Sequence, residues 1–123
     1  MRDEGSGSVL AVGLCAVLLS GVVLGLGVGS AVVARHRAEA AADLAALAAA
    51  DVVLGRADGD PCTRARVVLA AHGAGAQGCA VAADGSVTVT ATVRAGVLGT
   101  ARASARAGQA APQATEESRE GEA

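Results

Sequence analysis

From Gly5 to Ala34 the chain carries no charge across thirty residues dominated by Val, Leu, Gly and Ala. At Arg35 the pattern changes to an alanine-rich segment marked by Arg35, Glu39 and Asp43 at intervals of four, with no Gly or Pro before Gly55. Both halves predict helix, because alanine is the strongest helix former. Val9 to Val33 as a helix would extend roughly 37 Å against a hydrocarbon core of about 30 Å, so a tilted membrane span is expected. The alanine segment, Arg35 to Leu54, continues it as a smooth surface suited to tight helix packing. It is weakly amphipathic, since Asp51 shares an angular position with Leu44.

Beyond Gly55 to Gly59, a loop, Asp60 and Pro61 form a good helix start, an acid at the N-cap and proline at the first helical position. The second helix runs to about Ala71 and stops at Gly73. Cys79 to Ala82 reads as a short strand, and Asp84-Gly85 is the clearest hairpin signal. Ser86 to Arg94 alternates, with Val87, Val89, Ala91 and Val93 on one face and threonines on the other, a half-buried strand. Thr100 to Ala107 repeats the alternation weakly and reads as a third strand, although its alanines suit a helix equally. The expected fold is α+β: a long N-terminal membrane helix running into an Ala-rich helix, a short second helix and a small antiparallel sheet of two or three strands. Its expected divisions are a polar N-terminus over 1–8, a span over 9–34, a small domain over 35–108 and a disordered acidic tail over 109–123, where Glu116, Glu117, Glu120 and Glu122 cluster.

Composition makes that domain a marginal one. It has no Phe, Tyr or Trp. Its core must come from Val52, Val53, Leu54, Val67, Val68, Leu69, Val81, Val87, Val89, Val93, Val97, Leu98 and many alanines, which add little apolar area. Stability therefore calls for a disulfide, a partner or the membrane. Cys62 and Cys79 are candidates for a bridge closing a loop of about 16 residues, worth about 3 kcal/mol in an oxidising compartment; two unpaired thiols is the other reading. Cys15, inside the apolar run, reads as a small hydrophobe. Neither Cys62 nor Cys79 belongs to a C-x-x-C pair, and His36 and His72 have no ligand spacing, so no metal site is expected.

The chain also excludes several function classes. Net charge is −2 with arginines spread along the sequence, which gives no nucleic-acid patch. The serines lie in the span, the strands or the ends, without a nucleophile elbow. Glu39 and Asp43 read as a solvated stripe. The expectation is a protein that is not an enzyme, with no cofactor and no small-molecule substrate. Gly21, Gly25 and Gly29, at successive intervals of four inside the span, offer a groove where a second helix can approach closely.

The segment Arg37 to Ala50, and within it Ala41, Ala42, Asp43, Leu44, Ala45, Ala46 and Leu47, resembles the hallmark of TadE/TadG-like proteins, the pseudopilin-like components of tight-adherence pilus systems. The start Asp3 to Val9 resembles the charged, Gly-Ser opening of that family. The short length, the Pro61-Cys62 and Cys79 pair and the ending Ala105 to Gly108 look like the actinobacterial TadE-like branch encoded near helicase and secretion genes. The resemblance implies a single-pass membrane protein with an extracytoplasmic C-terminal domain, packing with TadE-like subunits or pilus and secretion platform proteins. Pilin-like members usually carry a glutamate a few residues into the apolar helix; Val9 to Val33 contains no acid.

Arg35 and Arg37 after the span, against Arg2 before it, favour a cytoplasmic C-terminus, whereas the cysteine pair and the resemblance favour the outside. The expectation adopted is an anchored structural component with its domain outside. The competing one is a secreted small binding or effector domain released by cleavage near Ala34, where Val32 and Ala34 suit a small-residue cleavage site.

Overall fold

The computed structural model describes residues 5–109. The first four residues and residues 110–123 lie outside the described residues, and with them nearly all of the segment expected to be a disordered tail. Span and alanine segment form one uninterrupted helix, α1 (Ser6–Val53), followed by α2 (Pro61–Ala71), β1 (Gly75–Val81), β2 (Val87–Arg94), a short 3-10 turn (Gly96–Leu98) and β3 (Thr100–Ala107). The strands form an antiparallel meander in the order β1-β2-β3. The last third of α1 and the whole of α2 cover one face of it.

The helix starts follow from local chemistry. Thr63 N donates to Asp60 Oδ2 at 2.8 Å, capping α2 with Pro61 at its first position. Along α1 the buried residues are Ala34, Ala38, Ala41, Ala42, Ala45, Ala46, Ala49 and Ala50, a single stripe at helical spacing that lies on the inner faces of β2 and β3. Opposite it, Val87, Val89, Ala91 and Val93 point inward from β2, as their alternation predicts, with Ala103 from β3 and Leu69 from α2. The largest fully buried side chains are Leu69, Val87 and Val89. The core is therefore made of methyl groups set against short aliphatics.

Several expectations need correction. Of the residues assigned to the core, Leu54, Val67, Val81, Val97 and Leu98 are exposed, while alanines take the interior. The helix side of the core is alanine, and the larger buried side chains, Leu69, Val87, Val89 and Val93, come from α2 and β2. β1 begins at Gly75, earlier than Cys79, because its ladder with β2 continues to Gly75 opposite Thr92 across an irregularity between Ala76 and Gly78. A Cβ on Gly75 would stand 2.8 Å from Thr92 Oγ1, so this strand pairs closely only because glycine is there. β2 begins at Val87, one residue later than expected, because Ser86 N and Ser86 Oγ both donate to Asp84 Oδ1, at 2.9 and 2.6 Å, and hold Ser86 in the turn. Gly85 completes that turn with φ +80°.

Two features outside the core hold the sheet. The turn is tied to β3, since Arg106 Nη2 donates to Asp84 Oδ2 at 2.9 Å and Arg106 Nε to Ser86 Oγ at 2.8 Å. β1, exposed along nearly all its length, is joined to the first turn of α2 by a Cys62–Cys79 disulfide whose Cα atoms are 5.7 Å apart. With so little apolar area under β1, its order depends on the ladder to β2 and on this bridge.

Ala42→Leu is expected to destabilise the sheet by about 1–3 kcal/mol or more through overpacking, whereas Leu44→Ala, on the exposed side, stays within about 0.5 kcal/mol. Amide hydrogen exchange of β2 in the detergent-solubilised chain measures both. Reduction of the disulfide removes about 3 kcal/mol of constraint; exchange should accelerate first in residues 75–81, and protection there unchanged by reductant would refute the tethering role. The Ser86 hydrogen bonds hold the Asp84 carboxyl below its ordinary value of 3.8, and the Thr63 backbone bond does the same for Asp60. Carboxylates with lowered folded-state pKa stabilise fully above their unfolded pKa and lose that contribution as pH falls through the folded value. Stability should thus hold above pH 3.8 and decline below it. Asp84→Asn should flatten part of that acid slope in a denaturation series.

Candidate assembly surface

The first half of α1 has nothing of the domain around it except at two places. Its valines and leucines from Val9 to Val33 are exposed, and an 18-residue window has mean hydropathy 2.7 with none of it buried, long and apolar enough to cross a membrane. Its polar side chains are satisfied within the helix: Ser20 Oγ donates to Ala16 O at 2.7 Å and Ser30 Oγ to Gly27 O at 2.8 Å. Both hydroxyls are thereby compatible with a medium that offers no partners. Cys15 is free and exposed on this stretch. An added Cβ at Gly21, Gly25 or Gly29 would meet nothing within 4 Å. The glycine series is accordingly an open face of the helix.

The motif in the second half divides by side. Ala41, Ala42, Ala45 and Ala46 are buried against the sheet, whereas Asp43, Leu44 and Leu47 point away from it, with the leucines 45% and 57% exposed. The alanine surface, expected to suit tight helix packing, is taken up within the protein by α2 together with the sheet. What remains outward is an exposed leucine pair. Between the two halves lies a short polar collar. Arg35 Nε donates to Glu39 Oε1 at 2.8 Å and His36 Nδ1 lies 3.4 Å from Glu39 Oε2, all exposed. The Arg35 hydrogen bond, foremost, holds the Glu39 carboxyl below its ordinary value. His72 caps the end of α2, far from any second histidine in sequence.

Among the described residues, no group of three or more His, Cys, Asp or Glu side chains is placed to hold a metal ion. Sequence reasoning overlooked the Gly96–Leu98 turn, whose Leu98 shares a hollow with Val28, Ala31, Val32, Arg35 and His36 of α1. The available signal was an apolar pair between two glycines in a hairpin connection, where a loop tip needs a reason to be apolar.

Residues 5–52 match the Tad family model, described as "Putative Flp pilus-assembly TadE/G-like". No curated protein and no solved structure matches the chain. The matched stretch is α1 almost end to end, taking in the exposed apolar half, the collar and the alanine stripe, while α2 and the sheet fall outside it. Over this helix, which carries the apolar run and the motif, the chain is similar to the TadE/G-like proteins of Flp pilus assembly.

Proposed function

We propose that the protein is a single-pass, membrane-anchored structural subunit of a TadE/G-like pilus or secretion assembly and performs no catalysis. Residues 9–34 span the bilayer, 35–108 form a small domain outside the cytoplasm, and the ends are polar appendages. The observation that carries this reading is α1 itself, a helix of 48 residues that is exposed and apolar in its first half and gripped by the domain in its second. A domain held along several turns of its own anchor follows the orientation of the span. That suits a subunit positioned by helix packing.

Orientation rests on the disulfide. A bridge between Cys62 and Cys79 is kept in an oxidising compartment and reduced in a cytosol, and it outweighs the small arginine bias around the span. Release of a secreted domain by cleavage near Ala34 is disfavoured by position: Ala34 is buried and opens the alanine stripe in mid-helix. Partners are the lipid bilayer and other TadE-like subunits or platform proteins, met through the glycine face of the span and the Leu44–Leu47 ridge.

Gly25→Ile fills the open groove and should lower self-association severalfold in a membrane reporter assay; unchanged association would remove the glycine face from the account. Intact mass of the cell-associated chain should include the apolar segment, and a product beginning near Arg35 in culture fluid would refute the anchor. A non-permeant thiol reagent should label Cys62 and Cys79 on whole cells only after reduction.

A further inference from the structure

The connection between β2 and β3 does not stay with the sheet. It reaches back along α1 into the apolar run: a Cβ on Gly27 would stand 4.0 Å from Leu98 Cδ1, and a Cβ on Gly96 would stand 3.8 Å from Ser30 Oγ. From residue 5 to residue 33 only Gly27 and Ala31 are even half-buried, and this turn covers them. The turn leaves its own apolar side chains uncovered, Val97 97% exposed and Leu98 57% exposed.

Depth along the helix decides what faces them. A hydrocarbon core of about 30 Å beginning at Val9 takes about 20 residues at 1.5 Å each and ends near Gly29. Leu98 reaches α1 at that level, at Gly27, and from there lines the hollow that runs outward past Val28, Ala31 and Val32 to His36 and Arg35, the first charged residue beyond the run. Just above, Arg37 and Arg94 line one hollow with Gly29, Ser30 and Val33, and among the described residues neither makes an ion pair. Apolar tips at the acyl boundary with unpaired guanidinium groups one step outward form the profile of an interfacial membrane contact.

We propose that the Gly96–Leu98 turn is a second membrane attachment, in which Val97 and Leu98 enter the boundary between headgroups and acyl chains of the bilayer that α1 spans. Arg37 and Arg94 then engage lipid phosphates. This rests on the membrane-anchored reading. The occupant is lipid because the turn continues the span's own exposed surface and lies at its depth. The attachment adds a second point of contact off the α1 axis and so fixes the tilt of α1 and its domain against the membrane plane.

The test uses the full chain with Cys15→Ala, its disulfide intact, reconstituted in vesicles of phosphatidylcholine and phosphatidylglycerol. An environment-sensitive fluorophore is placed at Val97→Cys, at Ala83→Cys in the β1–β2 turn, or at Leu18→Cys in mid-span. The probe at 97 should emit blue-shifted and lose most of its emission to lipids with a nitroxide near the headgroup, while the probe at 83 emits as in water. A probe at 97 as water-exposed as that at 83 overturns the proposal, and so does a blue-shifted probe that lipid nitroxides fail to quench, which would place a protein partner there. The probe at 18 reports separately on the anchor: its quenching by deep-chain nitroxides with none at 97 rejects the turn alone, whereas no quenching at 18 rejects the anchored reading as well. Omitting phosphatidylglycerol should reduce quenching at 97, and quenching unchanged by that omission would remove the arginines from the contact.

Discussion

Everything beyond the apolar run depends on how closely α2 and the sheet pack on α1. Eight buried alanines line the face of α1 that packs on α2, β2 and β3, and the opposing side chains are valines, Leu69 and more alanines. Each methyl contributes little, about 0.8 kcal/mol per buried carbon, and no aromatic side chain adds a large increment. The stripe compensates through closeness, since small side chains let backbone and methyl groups of helix and sheet meet with few voids. A larger residue at any of these positions would push the sheet outward along its length.

This closeness divides the labour of the helix. The face that holds the domain is occupied, and on the proposed reading contacts with partners fall to the glycines of the apolar run, to Leu44 and Leu47, and to Asp43 beside them. Because α1 runs without a break from Ser6 to Val53, domain and anchor turn together. The disulfide and the Asp84–Ser86–Arg106 ties serve the parts the stripe does not reach, the exposed β1 edge and the far turn.

Legibility in the sequence followed how local the determining physics was. The long helix, the Asp60 cap, the Asp84-Gly85 turn and the alternation of β2 are set by neighbours a few residues apart, and each stood where its pattern placed it. The start of β1 was illegible because a Gly-rich segment becomes a strand only through its ladder to β2. Membership of the core misled for a different reason. Hydropathy ranks Val97 and Leu98 above any alanine, but position decided burial: Leu69, Val87, Val89 and Val93 face the helices while Val97 and Leu98 lie on a turn outside the core. The candidate site was half legible: the cysteine pair and the family-like segment could be read, whereas the division of the motif into an inward alanine side and an outward leucine side could not. Alanine occurs on every side of that helix, and only the sheet distinguishes one from another.

The missing acid in the apolar run bears on the kind of assembly that is possible. A carboxylate in a span needs a partner for its charge and so specifies a register with its neighbour. Val9 to Val33 holds no such group, and its two serines are spent on their own backbone. Association within the bilayer must then come from shape, glycine against a neighbouring helix, which fixes distance better than axial register. Register would have to be set outside the hydrocarbon, where Asp43, the Arg35–Glu39 pair and the leucine ridge lie within a few turns of one another. On this argument the specificity of the subunit resides in the collar and the outward face of the alanine helix, and the span supplies proximity.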